Sequence, residues 1–412
     1  MSTTRREFIK TVGAAIATSQ IPPDPAAMDT LALTPPLAPP QSTAKRKVIY
    51  DQDNSGPFGT DILGTLMMLQ ADNIDLLGIT LVTGDAWMKQ ELAYTLRLLE
   101  MMGRTEIPVY PGAEFPMLNT KEEWQLRQQL YGGHRLDPWM GAFNRPNGGP
   151  DEIKPLPSPY DRLAGLKAQQ EHAARFIIKT VRANPGQVTI YAGGPLTNLA
   201  LAMGLAPDIV TMVHEVVIMG TGFHVFTNAF NIFFDPESAR KVLRAGWPKC
   251  SIVTVDIAEE IHEGDEFAPG RRMIEEIAAR AQSPISDLFQ LHAVDPLRRN
   301  PNMHFFRMAD EMIAAQVIDP SVFTKSEEMY VDICTTPGPR YGDSMFWPKN
   351  WQAVPDAGKS VSAADRRVFV DPRQFYLGPP PSAGLVNVLQ EIDHVRFKKL
   401  FVDLMTKPIR KA

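Results

Sequence analysis

Cysteine is scarce, basic charge is not in excess, and no apolar run is long enough to cross a bilayer. Each shortage removes a class of protein. Cys250 and Cys334 are the only two thiols in 412 residues, so no disulfide framework exists, and their separation has no zinc-ligand spacing. Both lie in apolar, strand-like surroundings, which leaves two buried thiols or one disulfide as readings. A formal charge of -5 gives no basic footprint, and nucleic acid is excluded as an expected partner. Neutral small molecules fit better. There is no internal repeat and no coiled-coil heptad. What remains is a chain 44% hydrophobic and 22% charged, ordinary for a soluble globular protein and long enough for one large α/β enzyme.

The N-terminus departs from this. Arg5-Arg6-Glu7-Phe8-Ile9-Lys10 matches the twin-arginine export pattern, and a weakly apolar run over 11–21 follows. That run is too short to span a membrane and reads as a signal segment, not an anchor. A Pro/Ala/Thr stretch continues to about Gln41. The expectation is a signal and Pro-rich linker over 1–42, then a single catalytic domain over 43–412. It carries with it a bacterial protein exported to the periplasm or beyond, with no stable membrane anchor. The bland alternative is a tail that merely contains Arg-Arg.

From residue 47 onward, strand-like and helix-like segments alternate. Strands are predicted at 47–50, 76–82, 107–110, 188–192, 215–219, 251–255, 330–334 and 385–391. Helices are predicted at 61–71, 90–102, 169–183, from 196, at 236–245, through 269–292 and at 395–405. Residues 113–165 break the rhythm with Gly, Pro and aromatics. The alternation predicts an α/β fold: a doubly wound, mostly parallel sheet with helices on both faces. Ligands in such sheets bind outside the carboxyl ends of the strands. The polar residues just past the strands are Asp51, Asp53, Thr83, Asp85, Gly193, Gly194, Asn231 and Asp256, an oxygen-rich edge.

Asp51 and Asp53 point to one side of an extended chain, because side chains alternate with period two. Clustered carboxylates are costly to bury unless a proton or cation offsets them. An all-oxygen set favours calcium or magnesium over zinc. The competing reading makes Asp51 a loop brace and Asp61 a helix cap.

Five stretches then carry a resemblance that covers most of residues 47–407. They are Asp51-Gln52-Asp53 with Asp61, Leu77-Gly78-Ile79-Thr80-Leu81-Val82-Thr83-Gly84-Asp85, Gly194-Pro195-Leu196-Thr197-Asn198-Leu199-Ala200, Phe230-Asn231-Ile232-Phe233-Phe234-Asp235-Pro236-Glu237, and the weaker Val294-Asp295-Pro296-Leu297. In this order they resemble the inosine–uridine-preferring nucleoside hydrolases. The resemblance implies a calcium ion held by the carboxylates of Asp53, Asp61 and Asp295 and by the carbonyl of Gly193, with sugar hydroxyls and water completing the shell. It also implies Asp53 as general base, an oxocarbenium-like transition state, and free base plus ribose as products. Asn231, Asp85 and Asp295 would meet the substrate, Asp51 would orient the first loop, and the chain would form dimers or tetramers. Asp235-Pro236 is best read as a helix start.

Several positions depart from the family pattern. Thr60 stands where an aspartate is usual, Asp85 where an asparagine is, Ala229 where a glutamate is, and Val294 where some members have a histidine. These changes fall on sugar and base contacts, so the resemblance implies retained hydrolysis with a shifted substrate. The stretch 131–139, with His134, is read either as a lid that meets the departing base or as a loop packed on its own aromatics. It belongs to a lid-like insertion around 113–165. His292 is a candidate leaving-group acid or a core histidine, and Trp87 a pocket wall or core. Two rival functions are a haloacid-dehalogenase-like phosphatase, built on Asp51-Gln52-Asp53, and an exported protein that binds nucleosides without cutting them. The phosphatase reading lacks a late acidic pair. Gly220-Thr221-Gly222 is too little for a dinucleotide site.

Overall fold

Contacts divide the chain at Ser42 and Thr43. The computed structural model describes residues 44–132, 140–144, 148–222, 229–260, 270–300, 308–350 and 379–411, and His134 lies outside them. The first strand, β1 (Arg46–Gln52), carries Val48, Ile49 and Tyr50, none of them exposed. Burial on both faces is expected of a central strand in a parallel sheet. Its neighbours are β2 (Ile74–Leu81) and β4 (Val188–Ala192), paired in parallel with Gln52 opposite Leu81 and Asp51 opposite Ala192. With β3 (Val109–Tyr110), β5 (Glu215–Met219), β6 (Cys250–Val253), β7 (Phe323–Ile333), β8 (Ser344–Pro348) and β9 (Gly384–Ile392), the sheet has nine strands in the order β3-β2-β1-β4-β5-β6-β9-β7-β8. All pairings are parallel except those of β7 with β9 and β8. The expected mostly parallel, doubly wound sheet is the one observed.

The period-two alternation sorts side chains into two cores. Val48, Tyr50, Tyr191, Val217 and Val253 pack with α1 (Thr60–Gln70), α2 (Met88–Met102), α8 (Val255–Glu260), α9 (Arg271–Arg280), α10 (Ile285–Phe289), α12 (Asp310–Ile318) and α13 (His394–Thr406). Ile49, Ile190, Val216 and Ile218 pack against α4 (Ala173–Ala183), α5 (Thr197–Leu205) and α7 (Pro236–Leu243). Each fully buried Val, Ile or Leu contributes about 1.5–3 kcal/mol relative to exposure, so a one-residue slip of β1 would invert both layers. A third cluster joins Trp124 of α3 (Lys121–Tyr131) to Phe143, Phe233 and Phe234. The stretch 113–165, expected to be irregular, therefore contains a helix anchored by a buried tryptophan. Among the described residues no helix is long and apolar enough to cross a membrane.

Chain order in the sheet reverses between β1 and β4. At such a switch point the connections leave toward opposite faces and open a crevice past the carboxyl ends. Asp53 sits there.

Candidate active site

β1 ends at Gln52, so Asp53 leaves the sheet at its carboxyl edge with 2% of its surface exposed. Its Oδ2 accepts the Asp85 backbone N–H at 3.1 Å. The segments after β2 and β4 close on this carboxylate with glycines. A Cβ on Gly84 would overlap Oδ2, and one on Gly194 would stand 2.8 Å from Oδ1. Glycine is required for so close a backbone approach. Gly84→Ala is expected to shift the Asp53 carboxylate, lowering kcat/KM by at least about tenfold and stability by about 1–3 kcal/mol. Steady-state kinetics and thermal melts check this, and wild-type values in both would mean that the cradle is slack.

Asp61 enters from the first turn of α1, 5% exposed, with Oδ2 accepting the Ser55 N–H at 3.0 Å. A hydrogen bond joins its carboxyl group to that of Asp310, the first residue of α12. Asp310 thus stands beside Asp61, a position the expected acid set had not included. Asp295 begins the short helix α11 (Asp295–Arg299), where its side chain is 39% exposed beside Arg298 and accepts from Gln290 Nε2 at 2.6 Å. Val294 before it is a core residue, 2% exposed. The strongest charges acting on Asp53 come from Asp85, Glu91 and Asp310, and those on Asp61 from Asp85, Asp310 and Asp53; Asp295 is not among them.

Burial, then the charges of Asp85, Glu91 and Asp310, hold the Asp53 carboxyl well above the usual carboxylate range. Burial, then Asp85, Asp310 and Asp53, does the same to Asp61. Burial also raises Asp310 and Glu91. Clustered acids with acidic neighbours are the electrostatic complement of a cation. Four buried carboxylate oxygens among the described residues have no hydrogen-bond partner, Asp51 Oδ2, Glu91 Oε2 and Glu311 Oε1 near this edge and Glu215 Oε2 at the start of β5; the donors around Asp53 are all hard oxygens, so the set fits a calcium- or magnesium-type ion. As the side chains stand, no three acidic, histidine or cysteine groups among the described residues surround one point; the Asp61–Asp310 bond holds two of them against each other.

The remaining expected residues divide. Asn231, expected in a loop, lies in the short helix α6 (Phe230–Phe234), and its amide donates to the carbonyl of Gly193, so these two do meet. Asp51 accepts from Thr80 Oγ1 at 2.5 Å and Asn198 Nδ2 at 2.8 Å. Burial still pushes its carboxyl up to about 6. Asn198 also donates to Leu81 O at 2.9 Å and accepts the Ala113 N–H at 2.8 Å, so one amide ties β1, β2 and the segment after β3. Asp51 is thus a brace under the edge, as is Glu91, whose Oε1 accepts the Ala86 N–H at 3.0 Å beside Asp85. Trp87 is 7% exposed, packs on Phe115 and Phe143, and lines a cavity of about 520 Å³. The His292 ring bonds the Ser158 carbonyl at 2.7 Å and stacks near Phe58, and burial lowers its pKa.

The sequence reading missed Glu91, Asp310 and Glu311. A signal existed for the last two: a pair of acids heading the otherwise apolar run Met312-Ile313-Ala314-Ala315.

The class of protein, an N-glycosidic hydrolase, follows from the family match. The inosine-uridine preferring nucleoside hydrolase family model matches residues 48–399, and the chain belongs to that family, whose members hydrolyse nucleosides to base and sugar. Among its relatives, an uncharacterised protein of Schizosaccharomyces pombe is 28% identical over 81% of this chain and 84% of its own. The pyrimidine-specific ribonucleoside hydrolase RihB of Escherichia coli is 29% identical over 73% of this chain and 87% of its own. Of solved structures, a plant nucleoside hydrolase superposes with TM-score 0.63 at 22% identity, covering 88% of this chain and 99% of that one. The purine-preferring ribonucleoside hydrolase of Gardnerella vaginalis gives 0.61 at 19% identity, covering 88% and 98%. These two likenesses speak for the fold. Family membership replaces the phosphatase and the non-catalytic binding protein as readings of this chain.

Proposed function

We propose that this chain is a calcium-dependent ribonucleoside hydrolase in which Asp53, Asp61, Asp310 and the Gly193 carbonyl hold the ion and Asp53 acts as general base. One observation carries the reading: acids just past β1 and in the first turns of α1 and α12 are buried near one another at the switch point, Asp53 and Asp61 held up by burial and by acidic neighbours that include Asp310, and Asp310 held up by burial. When bound, the ion supplies positive charge that keeps these carboxylates ionised and makes water in the site more acidic. Asp53 takes the proton from the attacking water while the Asp85 N–H fixes its Oδ2. The acidic surroundings stabilise the positive charge that develops on the sugar as the glycosidic bond lengthens. Asn231 and Asp85 meet the sugar hydroxyls in this reading. The names of relatives, pyrimidine-specific and purine-preferring alike, support ribonucleosides as the substrate class without choosing a base. His134 retains its proposed part in the lid, and a homo-oligomer exported by the twin-arginine route to the periplasm or beyond completes the proposal.

The test is a panel of ribonucleosides, deoxyribonucleosides and nicotinamide riboside, assayed for free base before and after chelation. Base release from ribonucleosides, lost to the chelator and restored by calcium, is expected. Release that ignores the chelator would remove the ion from the mechanism. No release from any nucleoside would remove the ribonucleoside reading.

A further inference from the structure

Thr60 occupies the first position of α1, and the hydrogen bonds of its hydroxyl reach the start of another helix, the Asp310 carboxyl included. Its Oγ1 accepts the N–H of Ala309 at 2.9 Å and of Asp310 at 2.7 Å, and its O–H donates to Glu311 Oε2 at 2.7 Å. A hydroxyl has one donor and two acceptor positions, so both acceptor positions are used by the two N–H groups and the one O–H serves the carboxyls of Glu311 and Asp310. The first N–H groups of any helix lack partners inside it. Ala309, which precedes α12, is a poor cap type and provides no side-chain bond. Thr60 supplies the missing cap from a different helix.

Two more contacts fix the same residue. One turn along α1, a Cβ on Gly64 would stand 3.0 Å from Asp310 Cβ and 3.2 Å from its carbonyl, so α1 and α12 approach closely at Asp310. The Tyr191 hydroxyl donates to the Asp310 carbonyl at 3.1 Å. The N–H, the carbonyl and the Cβ of Asp310 are therefore held by Thr60, Tyr191 and Gly64.

We infer that Thr60 is a positioning residue: by clamping the start of α12 it sets the Asp310 carboxylate toward Asp61 for the cation. This rests on the metal reading proposed above. The residue type follows from the bonds. An acid at position 60 would lack the donor for Glu311 and set another negative group against it, whereas valine would leave two buried N–H groups without an acceptor. Serine keeps every bond.

The test compares the full-length chain with its Thr60→Val and Thr60→Ser forms by calcium titration calorimetry, hydrogen exchange in chelator, and kinetics across calcium concentrations. Thr60→Val is expected to speed exchange at the Ala309 and Asp310 amides and weaken calcium by at least about tenfold, the scale of losing the acceptor for buried donors. Its kcat should recover largely at saturating calcium. Thr60→Ser should stay within about threefold of wild type on the same grounds. If Thr60→Val does not fold, Tyr191→Phe removes the carbonyl anchor together with the Tyr191–Tyr50 hydroxyl bond and should weaken calcium by at least about threefold. Wild-type calcium affinity in Thr60→Val, or in Tyr191→Phe where that form stands in for it, overturns the clamp. A wild-type chain that binds no calcium overturns the metal reading and the clamp with it.

Discussion

Asp53→Asn is expected to lower kcat by about three to four orders of magnitude while leaving the fold intact, the upper range for loss of a general base. The substitution is nearly isosteric, and its remaining oxygen can still accept the Asp85 N–H that Asp53 Oδ2 accepts at 3.1 Å. The cradle of Gly84 and Gly194 is filled as before. The proton-accepting charge is gone. Stability in chelator should hold or rise, because Asp53 is buried among Asp85, Glu91 and Asp310, whose charges oppose its ionisation. Because Asp53 is also a proposed metal ligand, the measurement is made at saturating calcium, with affinity determined separately by calorimetry. A deficit that persists at saturation belongs to the base. A rate that returns to wild type there would leave Asp53 as a ligand only.

Legibility in the sequence followed how local each signal was. Asp53 and Gly193 stand at the ends of strongly patterned strands, and a rule about strand ends was enough to pick them out, whereas Asp61 came from the resemblance. The observed bounds of β4 and β5 match the predicted ones for the same reason. α12 failed that test. Eight of its nine residues are buried, so it has no polar face and no amphipathic period to read. The acids that open it, Asp310 and Glu311, resemble ordinary first-turn acids that complement a helix dipole. Asp295, by contrast, sits in a motif-like Val-Asp-Pro that opens the short helix α11 with its side chain 39% exposed. Thr60 shows the converse. The sequence registers it as a lost carboxylate; only the packing of α1 on α12 shows the hydroxyl bonded three times over.

The sharpest contrast between the two acids is therefore a paired substitution. Asp310→Asn is expected to weaken calcium by at least about a hundredfold and to lower kcat/KM comparably at limiting calcium, since an anionic ligand to a hard divalent ion is replaced by a neutral one. Asp295→Asn is expected to change either quantity by less than about threefold, because its side chain is 39% exposed and beside Arg298, a pairing of the kind that contributes little. The sign of the stability change separates them further. Without metal, Asp310→Asn relieves a buried acid that repels Asp53 and Asp61 and should leave the melting temperature in chelator equal to or above that of wild type. With calcium at about a hundred times its dissociation constant, wild type should gain about 2.7 kcal/mol, and Asp310→Asn should gain almost none of it. Melting curves of the three proteins with and without calcium read all of this at once. A calcium-dependent shift kept by Asp310→Asn and lost by Asp295→Asn would return the ion to Asp295 and remove α12 from the site.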